Sequence, residues 1–533
     1  MRHIALAAAL TALVGCALVS PATESWDTVV LRVNCGAAAD YVDLDGNRWL
    51  ADRWLTDDSA WGAVGGATAE RTGMAVAGTE APDVYLSERY GMRGYEFRVP
   101  NGVYAVRPHF AETYEGAATK GARVFSVAVN DEEVLKDFDP FDAAGGLARP
   151  VVRNIGDVRV RDGRLRVEFE PNVQNPEVNG IEIVAKGITQ NEAERMADEL
   201  AKRPPSTAED VGSAVLGDLR WQPNWVTRLG CIGGGLSYLG RDVSPPWLAG
   251  TSGYVFALNI HSQLCPSAPF VWDNGEAFDA LTRNAGYTLE RATNESEEDI
   301  AEARSAAWEL VRRALNEGTP CFSFDIGGGE YFVVHGYDKG GYYYRGFDNS
   351  SQGPIPWQAL GTTGIVDVVH MAAVRPAEPA DDATAVREAL QFALAMQQGG
   401  EDAPDDAGYM PGIRAYDRWI AALRDPESNP HGASFNAQYW AECRRLAVAF
   451  LQEASDRLGN ARLDPLLEEA QAHYETVSEH LDAVAEALPM DGQWGARLKD
   501  AELVGELVTH LEAARAAEAK GLAALSRLLS AME

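Results

Sequence analysis

Residues 95–106 read Tyr95-Glu-Phe-Arg-Val-Pro-Asn-Gly-Val-Tyr-Ala-Val106, and this stretch decides the fold of the first third of the chain. Apolar and charged residues alternate before the Pro-Asn-Gly turn and apolar residues resume after it, a pattern typical of two strands joined by a tight turn. Similar runs occur at 29–33, 124–129 and 165–169. Many short strands at this spacing predict a β-sandwich of the jelly-roll type over residues 26–186.

The chain changes character after the predicted sandwich. Residues 187–206 are predicted to form a helix and a linker, with Asn191 as the helix cap, Glu194 in its first turn and Arg203-Pro-Pro-Ser206 as its end. A capped helix followed by a Pro-rich segment is typical of a connection between domains.

The remaining two thirds divide into two predicted parts. Residues 207–376 mix helical and strand patterns, which indicates an α+β domain. Residues 377–533 keep the helical spacing of apolar residues, as at Leu503, Leu507 and Leu511, and predict an α-helical C-terminal region. We therefore expect a multidomain protein with a β-sandwich first, an α+β domain second and a helical region last.

The charge of the chain excludes some classes of partner. Its 533 residues include 46 Lys and Arg against 79 Asp and Glu, a formal net charge of −33. Nucleic-acid binding depends on Lys and Arg at the phosphates, and an anionic membrane surface attracts basic segments. We therefore expect no nucleic-acid partner and no polybasic membrane-binding surface.

The N-terminus, residues 1–25, has the pattern of an export signal. A short basic start, Met1-Arg-His3, precedes an apolar run at 4–14 that is too short to span a bilayer. The following Leu13-Val-Gly-Cys16 resembles the bacterial lipobox, and this resemblance implies that Cys16 becomes the lipid-carrying first residue. The prediction is a lipoprotein anchored in a bacterial cell envelope; cleavage after Ala22, giving a secreted or periplasmic protein, is the alternative.

Five cysteines remain if Cys16 carries lipid, and an odd number leaves at least one thiol free in an oxidising compartment. Cys35 and Cys443 lie in separate predicted domains. The sequence leaves open whether Cys231 is free or bridged to Cys265 or Cys321.

Four blocks in the sandwich region point to a family. They are Arg32-Val-Asn-Cys-Gly36, Val99-Pro-Asn-Gly-Val-Tyr104, His109-Phe-Ala-Glu-Thr-Tyr114 and Asn175-Pro-Glu-Val-Asn-Gly180. Together with Trp49, Asp52 and Tyr85-Leu-Ser-Glu-Arg89, they resemble the malectin family of sugar-binding domains over nearly the whole region 26–186. The resemblance implies that the protein binds a glycan.

A sugar site needs aromatic platforms for the apolar C–H faces and polar groups for the hydroxyl edges. The resemblance implies a site at the rim of the sandwich built from Trp49, Asp52, Tyr85, Tyr114, Glu115 and Gln174. Glu115 stands where the family has an aromatic residue, and Gln174 stands where it has an acid. The resemblance implies a glucose-type disaccharide as the ligand, but these two departures leave another glycan open. A further alternative is that the aromatic rings pack the interior of the sandwich.

The α+β region carries a second resemblance. Cys231 lies in the Gly-rich stretch 225–239, where a loop is predicted to enter a helix whose dipole would favour a thiolate. Residues 330–348 predict a strand, a tight turn at 338–341 and a second strand. This order resembles the papain-like fold of C39-type peptidases and the N-terminal domain of butirosin-biosynthesis H-type acyltransferases over residues 207–376.

Thiol catalysis needs a cysteine activated by a histidine that an Asp or Asn orients. The C39-type pattern has its histidine where this chain has Glu330. His335 lies five residues on, and because an odd step along a strand reverses the face, Glu330 and His335 cannot both point at Cys231. Asp348 would lie on the face of His335 if the hairpin loop had two residues, and on the face of Glu330 if it had three. Two further histidines without motif support are His261 and His370.

Two functions follow. The first is an exported glycan-binding lipoprotein whose papain-like domain is degenerate, which the missing histidine favours. The second is an active thiol peptidase, amidase or acyltransferase that uses Cys231 and is directed to its substrate by the sugar-binding domain. The expected partners are a glycan and, through the lipid on Cys16, a membrane. We expect no cofactor or metal, because the chain has no metal-ligand spacing, phosphate loop or nucleotide motif.

Overall fold

The computed structural model describes residues 26–202, 212–271, 276–294, 296, 299–398, 408–491 and 494–533. The predicted signal segment 1–25 with Cys16 and the predicted linker 203–206 lie outside the described residues. A β-sandwich comes first, a mixed α/β region follows, and long helices end the chain. The expected order of fold types is therefore confirmed, and no described helix is both long and apolar enough to cross a membrane.

The N-terminal sandwich is built from short and medium strands, as the alternating pattern predicts. Its strands are β1 (Trp26–Asn34), β2 (Tyr41–Val42), β3 (Arg48–Ala51), β4 (Trp61–Glu70), β5 (Ser87–Arg98), β6 (Gly102–Phe110), β7 (Val124–Val129), β8 (Glu132–Phe138), β9 (Val151–Val152), β10 (Ile155–Val160), β11 (Arg164–Val173), β12 (Glu177–Val178) and β13 (Gly180–Ile188). A short helix, α1 (Pro140–Ala144), interrupts them.

Two sheets face each other across one core. The first has the order β10-β6-β13-β1-β3-β2, with β9 beside β6, and the second has the order β12-β5-β11-β7-β8, with β4 beside β5. Phe110 of the first sheet and Phe125 of the second meet with ring centroids 5.8 Å apart. The inward residues of both sheets therefore form a shared apolar layer, which is the arrangement of a β-sandwich.

Helix α2 (Gln190–Ala201) closes the sandwich at its end, but its cap differs from the prediction. Thr189, not Asn191, is the N-cap: its side chain accepts a hydrogen bond from the backbone of Glu192, whose carboxylate bonds back to the backbone N–H of Thr189. This reciprocal capping box satisfies two N–H groups, which a cap at Asn191 would not do. The Nε1–H group of Trp61 donates to the carbonyl of Leu200 at 2.8 Å and holds the helix on the sheet.

The α/β region surrounds a third, antiparallel sheet in the order β16-β21-β17-β18-β19-β20, with β14 beside β18. Its elements are β14 (Ala214–Val215), α3 (Thr227–Tyr238), α4 (Pro245–Thr251), β15 (Asn259–His261), α5 (Glu276–Leu281), β16 (Tyr287–Thr293), α6 (Ile300–Asn316), β17 (Cys321–Phe324), β18 (Tyr331–Asp338), β19 (Gly341–Arg345), β20 (Gln352–Ile355) and β21 (His370–Pro376). Helices α3 and α6 pack against this sheet.

The C-terminal part is helical apart from β22 (Tyr409–Pro411), which pairs with β15. Its helices are α7 (Asp382–Gln398), α8 (Ala415–Leu423), α9 (Pro430–Leu458), α10 (Asp464–Ala487), α11 (Trp494–Arg497) and α12 (Ala501–Met532). One continuous apolar core extends from Leu216 in the α/β region to Leu528 in α12. The two predicted parts on either side of residue 376 therefore share a core.

The sandwich contacts the α/β region through a backbone hydrogen bond and an ion pair. Gly65 N–H donates to the carbonyl of Thr362 at 2.9 Å, and Arg93 pairs with Asp367 at 2.6 Å. Asp325 holds this loop in place, because its carboxylate accepts the backbone N–H groups of Ile365 and Val366 at 3.0 and 2.9 Å.

Candidate functional site

Tyr114 lies just beyond the end of β6, at the start of a short 3-10 turn that runs from Glu115 to Ala117. Its side chain is 48% exposed, which is unusual for a tyrosine in this domain. The ring lies against Gly116, where an added Cβ would come within 2.4 Å of a ring carbon. The guanidinium of Arg71 lies 6.0 Å from the ring centroid. The predicted residues Tyr114 and Glu115 are therefore both on the surface, next to a cation.

A cluster of buried charges supports this turn from below. Arg123 pairs with Glu112 at 2.6 Å, and Glu112 also accepts the backbone N–H of Tyr114 at 2.9 Å. Glu88 pairs with Arg71 at 2.7 Å and accepts the hydroxyl of Thr113 at 2.8 Å. Because buried ion pairs with additional hydrogen bonds hold one geometry, the cluster fixes the orientation of the turn that carries Tyr114.

Glu177, on β12, is the third carboxylate of this cluster and is fully buried. Neither of its carboxylate oxygens has a hydrogen-bond partner among the described residues. Burial raises its pKa well above the usual value, the charge of Glu88 raises it further, and Arg123 opposes both effects. The surroundings of Glu177 therefore favour its neutral form.

The loop before β12 reaches the same surface. Gln174 is exposed with a positive φ of 61°, and Arg123 donates to the carbonyl of Asn175. Asn175 also lies against Gly91, within van der Waals distance of an added Cβ. Arg123 therefore connects the loop that carries Tyr114 with the loop that carries Gln174.

Tyr90 is a candidate that the sequence prediction missed. It lies on β5, opposite Glu177 of β12, and is half-buried. It lies two positions after Glu88, so both side chains share one face of the strand. The alternation around Ser87–Arg98 could have identified it, whereas the sequence reading chose Tyr85, five residues earlier.

The other three predicted sugar-binding residues are inside the domain, which corrects the expectation that they stand at an open rim. Trp49 is 3% exposed and donates its indole N–H to Asp43 at 3.0 Å. Tyr85 is 2% exposed, and its hydroxyl lies 2.7 Å from Nδ1 of His109. Asp52 accepts hydrogen bonds from Arg89 at 2.8 Å and from Tyr95 at 3.1 Å. Their polar atoms are satisfied internally, so these side chains stabilise the fold.

Cys231 lies in the second turn of α3 and not at its entrance. Its side chain is 1% exposed. Burial raises the pKa of the thiol well above its usual value, the nearby Glu330 raises it further, and Arg228 only partly opposes this. The expected thiolate at a helix N-terminus is therefore wrong for this residue: the environment favours the neutral thiol. The five described cysteines are all free thiols, which also excludes the bridges considered for Cys231.

Glu330 and His335 have different partners. Glu330 accepts the hydroxyl of Thr227, one turn before Cys231, at 2.6 Å. Nε2 of His335 lies 3.0 Å from the hydroxyl of Ser351 on the β20 side of the sheet. Burial lowers the pKa of His335 to about 4, and the charges of Arg345 and Arg220 contribute. The structure thus places the glutamate, not the histidine, near the thiol.

Asp348, His370 and His261 have neighbours other than Cys231. The turn between β18 and β19 has two residues, but a bulge after Val334 shifts the register and β19 ends at Arg345. Asp348 therefore lies beyond the strand and accepts hydrogen bonds from Ser350. His370 packs edge-on against Tyr331, and burial lowers its pKa to about 3. The ring of His261 lies beside that of Tyr409, with centroids 4.8 Å apart and an angle of 55°.

Among the described residues, no three His, Cys, Asp or Glu side chains are grouped so that they could hold a metal ion.

The comparisons with known proteins concern the sandwich. The family model of the malectin domain matches residues 29–187. The chain is 28% identical to malectin from Homo sapiens over 176 residues, 30% of this chain and 57% of that protein. It is 38% identical to the kinesin-like protein KIN-14R from Arabidopsis thaliana over 104 residues, 19% of this chain and 9% of that protein. The chain therefore spans less than two thirds of these relatives.

Among solved structures, the ectodomain of ANX2 from Arabidopsis thaliana is similar over 31% of this chain and 54% of that chain, with 19% identity and a TM-score of 0.26. The family match and the malectin relatives confirm the resemblance stated from the sequence blocks. Residues 29–187 therefore form a malectin-like domain.

Proposed function

We propose that the malectin-like domain binds its glycan on the surface formed by Tyr114, Arg71, Tyr90 and the 174–175 loop. The observation that carries this proposal is the half-exposed Tyr114 ring on a turn that buried ion pairs hold in place. An exposed aromatic ring offers an apolar platform to the C–H face of a sugar. A platform that is already ordered loses little conformational entropy on binding, and this favours a recognition role.

The polar groups around the ring suit the edges of a saccharide. Arg71 can donate hydrogen bonds, Gln174 can both donate and accept, and the carboxylate of Glu115 can accept from hydroxyls. Glu115 is exposed next to Tyr114 in the chain, the half-buried Arg71 lies 6.0 Å from the Tyr114 ring, and Gln174 is exposed in the loop that Arg123 contacts. Because Glu115 replaces a second aromatic ring, we expect one stacking contact and several hydrogen bonds, not a sugar held between two rings.

A glycan array with the full chain tests the site. We expect Tyr114→Ala to reduce binding about tenfold or more, since stacking and the associated hydrogen bonds contribute about 1.5 kcal/mol or more. Phe347→Ala is the matched control, because Phe347 is 57% exposed but belongs to the α/β region. Absence of glycan binding by the parent chain, or equal binding by Tyr114→Ala, would contradict the proposal.

We further propose that the α/β region is a degenerate papain-like domain that no longer cleaves. The helix carrying Cys231 packs on an antiparallel sheet whose β18 begins beside Glu330, the position where a C39-type enzyme has its histidine. The buried thiol with a raised pKa and the separate location of His335 support this interpretation over an active thiol enzyme.

Thiol labelling distinguishes the two functions. With iodoacetamide at pH 7.5 we expect slow modification of Cys231 and faster modification of Cys265, which is half-buried while the other four described cysteines are buried. Mass spectrometry of the peptides gives the rates, and labelling in denaturant confirms that every thiol can react. Rapid stoichiometric modification of Cys231 in the native chain would favour the enzyme.

We also propose that the protein is exported and anchored in a bacterial envelope through Cys16. The support is the order of basic start, apolar run and lipobox-like Leu13-Val-Gly-Cys16. Metabolic labelling with an alkyne fatty acid should mark the full chain and not Cys16→Ser. An unlabelled parent chain would instead indicate the alternative, cleavage after Ala22.

A further inference from the structure

A second concave site lies between the sandwich and the α/β region. This cleft has a volume of about 400 Å³. Asp52, which lines it, pairs with Arg89, and Arg89 and Glu88 are neighbours on β5 whose side chains project to opposite faces. The cleft therefore lies on the other side of β5 from the charged cluster beneath Tyr114, and it is distinct from the proposed glycan site.

Two half-buried tryptophans line the cleft, Trp54 from the sandwich and Trp357 from the α/β region. The guanidinium of Arg89 lies 4.2 Å from the ring centroid of Trp54. Trp357 stacks on Trp308 with ring centroids 6.2 Å apart and an angle of 14°. Both indoles are therefore held by a partner within the protein, and together they offer apolar surface to a ligand.

Four hydrogen-bond donors in this cleft are available to a ligand. The ammonium of Lys339, the amide of Gln358 and the indole N–H groups of Trp54 and Trp357 make no hydrogen bond to another described residue. A cleft rich in unused donors suits a ligand rich in acceptors. Hydroxyl, carboxylate and sulfate oxygens all meet this requirement.

The charge of the lining favours an anion. Three cationic residues, Arg48, Arg53 and Lys339, line the cleft with two acids, Asp40 and Asp52. Asp40 is paired with Arg48 at 2.7 Å, and Asp52 is neutralised by Arg89 beneath it. The ammonium of Lys339 has no ion-pair partner among the residues that the structure describes, in a chain whose net charge is −33.

Contacts between the sandwich and the α/β region fix the two walls of the cleft relative to each other. Arg304 of α6 reaches Asp57 of the sandwich at 3.4 Å and donates to the carbonyl of Leu360 at 2.7 Å, close to Trp357 in the chain. The bond from Gly65 to Thr362 adds a second connection. The two walls are therefore positioned before any ligand binds.

We propose that this cleft binds an acidic saccharide, a sugar unit that carries a carboxylate or a sulfate group. The pyranose face packs on the indole of Trp357, and the anionic group pairs with Lys339. The size of the cleft suits one or two sugar units. The chain thereby holds two saccharide sites, one on each side of β5, and the second needs both domains.

Isothermal titration calorimetry of the full chain tests this proposal with three probes: a glucuronate-containing disaccharide, a sulfated disaccharide and neutral cellobiose. We expect one acidic probe to bind about tenfold more tightly than cellobiose, and its identity distinguishes carboxylate from sulfate. Lys339→Gln should weaken that binding about tenfold, because it removes a charge-assisted hydrogen bond. Lys136→Gln, at an exposed position on β8, is the matched control and should leave the affinity unchanged.

Two variants separate this site from the first. Trp357→Ala should weaken binding of the acidic probe, whereas Tyr114→Ala should leave it unchanged. Lys339 lies in an exposed turn, so Lys339→Gln keeps the test valid even if Trp357→Ala destabilises the fold. Failure of both acidic probes to saturate would overturn the proposal. The proposal would also be overturned if the acidic probe lost its binding to Tyr114→Ala but bound Lys339→Gln fully. That result would still support the glycan site at Tyr114.

Discussion

Glu330 shows how the surroundings of one residue alter its chemistry. Burial raises its pKa to about 7, the hydroxyl of Thr227 lowers it, and the charge of Asp325 raises it again. The same carboxyl raises the pKa of the Cys231 thiol. A histidine cation at this position would favour the thiolate, whereas a glutamate disfavours it. The charge of the residue at position 330 therefore sets the direction in which it shifts the pKa of the Cys231 thiol.

The raised pKa of Glu330 makes stability depend on pH. Between pH 4.5 and about 7 the folded chain keeps the proton that the unfolded chain has lost, so stability falls as pH rises through this interval. We expect Glu330→Gln, which still accepts from Thr227, to match the parent near pH 4.5 and to be more stable by about 3 kcal/mol at pH 8. Urea unfolding at both pH values measures the difference. An equal effect at both would mean that the carboxyl does not titrate in this interval.

Helix α3 shows at the scale of an element why its sequence is rich in glycine. An added Cβ at Gly234 would lie 1.9 Å from the carbonyl oxygen of Arg220, and one at Gly230 would lie 2.4 Å from that of Gln222. The segment 220–222 therefore crosses the helix in backbone contact. The glycines that suggested a catalytic loop are explained by this close packing.

Gly234→Ala should therefore destabilise the chain by about 2 kcal/mol or more, because either the helix or the segment 220–222 must move. Gly505→Ala is the matched control in α12: nothing lies within 4 Å of its added Cβ, and the substitution should stabilise by about 0.5–1 kcal/mol. Thermal unfolding followed by circular dichroism compares the two. Equal effects would contradict the proposed contact.

At the scale of the whole molecule, a buried ion pair joins the helices to the α/β region. Arg444 of α9 pairs with Glu518 of α12 at 2.6 Å, and it also donates to the carbonyls of Val255 and Ala257. The hydroxyl of Tyr416 donates to Glu518 at 2.6 Å. Both carboxylate oxygens of Glu518 and all three guanidinium nitrogens of Arg444 have a partner, so the desolvation of the charges is compensated.

We expect Arg444→Leu to lower the free energy of unfolding by about 3–5 kcal/mol, because Glu518 would be left buried without its counter-ion. Arg445→Leu, at the next residue, removes an exposed ion pair with Asp482 and should cost about 0–1 kcal/mol. Urea unfolding of the two variants measures the contrast. A small loss in Arg444→Leu would show that water or rearrangement replaces the guanidinium.

The alternation in β5 and β6 and the order of the four blocks were enough to predict the sandwich and its family, because strand periodicity and turn chemistry are local properties of the chain. Tyr114 and Glu115 were also predicted at the surface, since they follow directly on a strand end. The sequence alone therefore determined the first domain and the position of its exposed ring.

Only the tertiary structure decided which rings are free. Trp49 donates to Asp43, which lies six residues earlier and just beyond the end of β2, whereas the hydroxyl of Tyr85 meets His109 on β6, and both rings lie inside the domain. The burial of Cys231 and the cleft between Trp54 and Trp357 likewise depend on elements that approach only after folding. The burial of a side chain and its hydrogen-bond partners depend on how the folded chain packs, so they cannot be read from the local sequence.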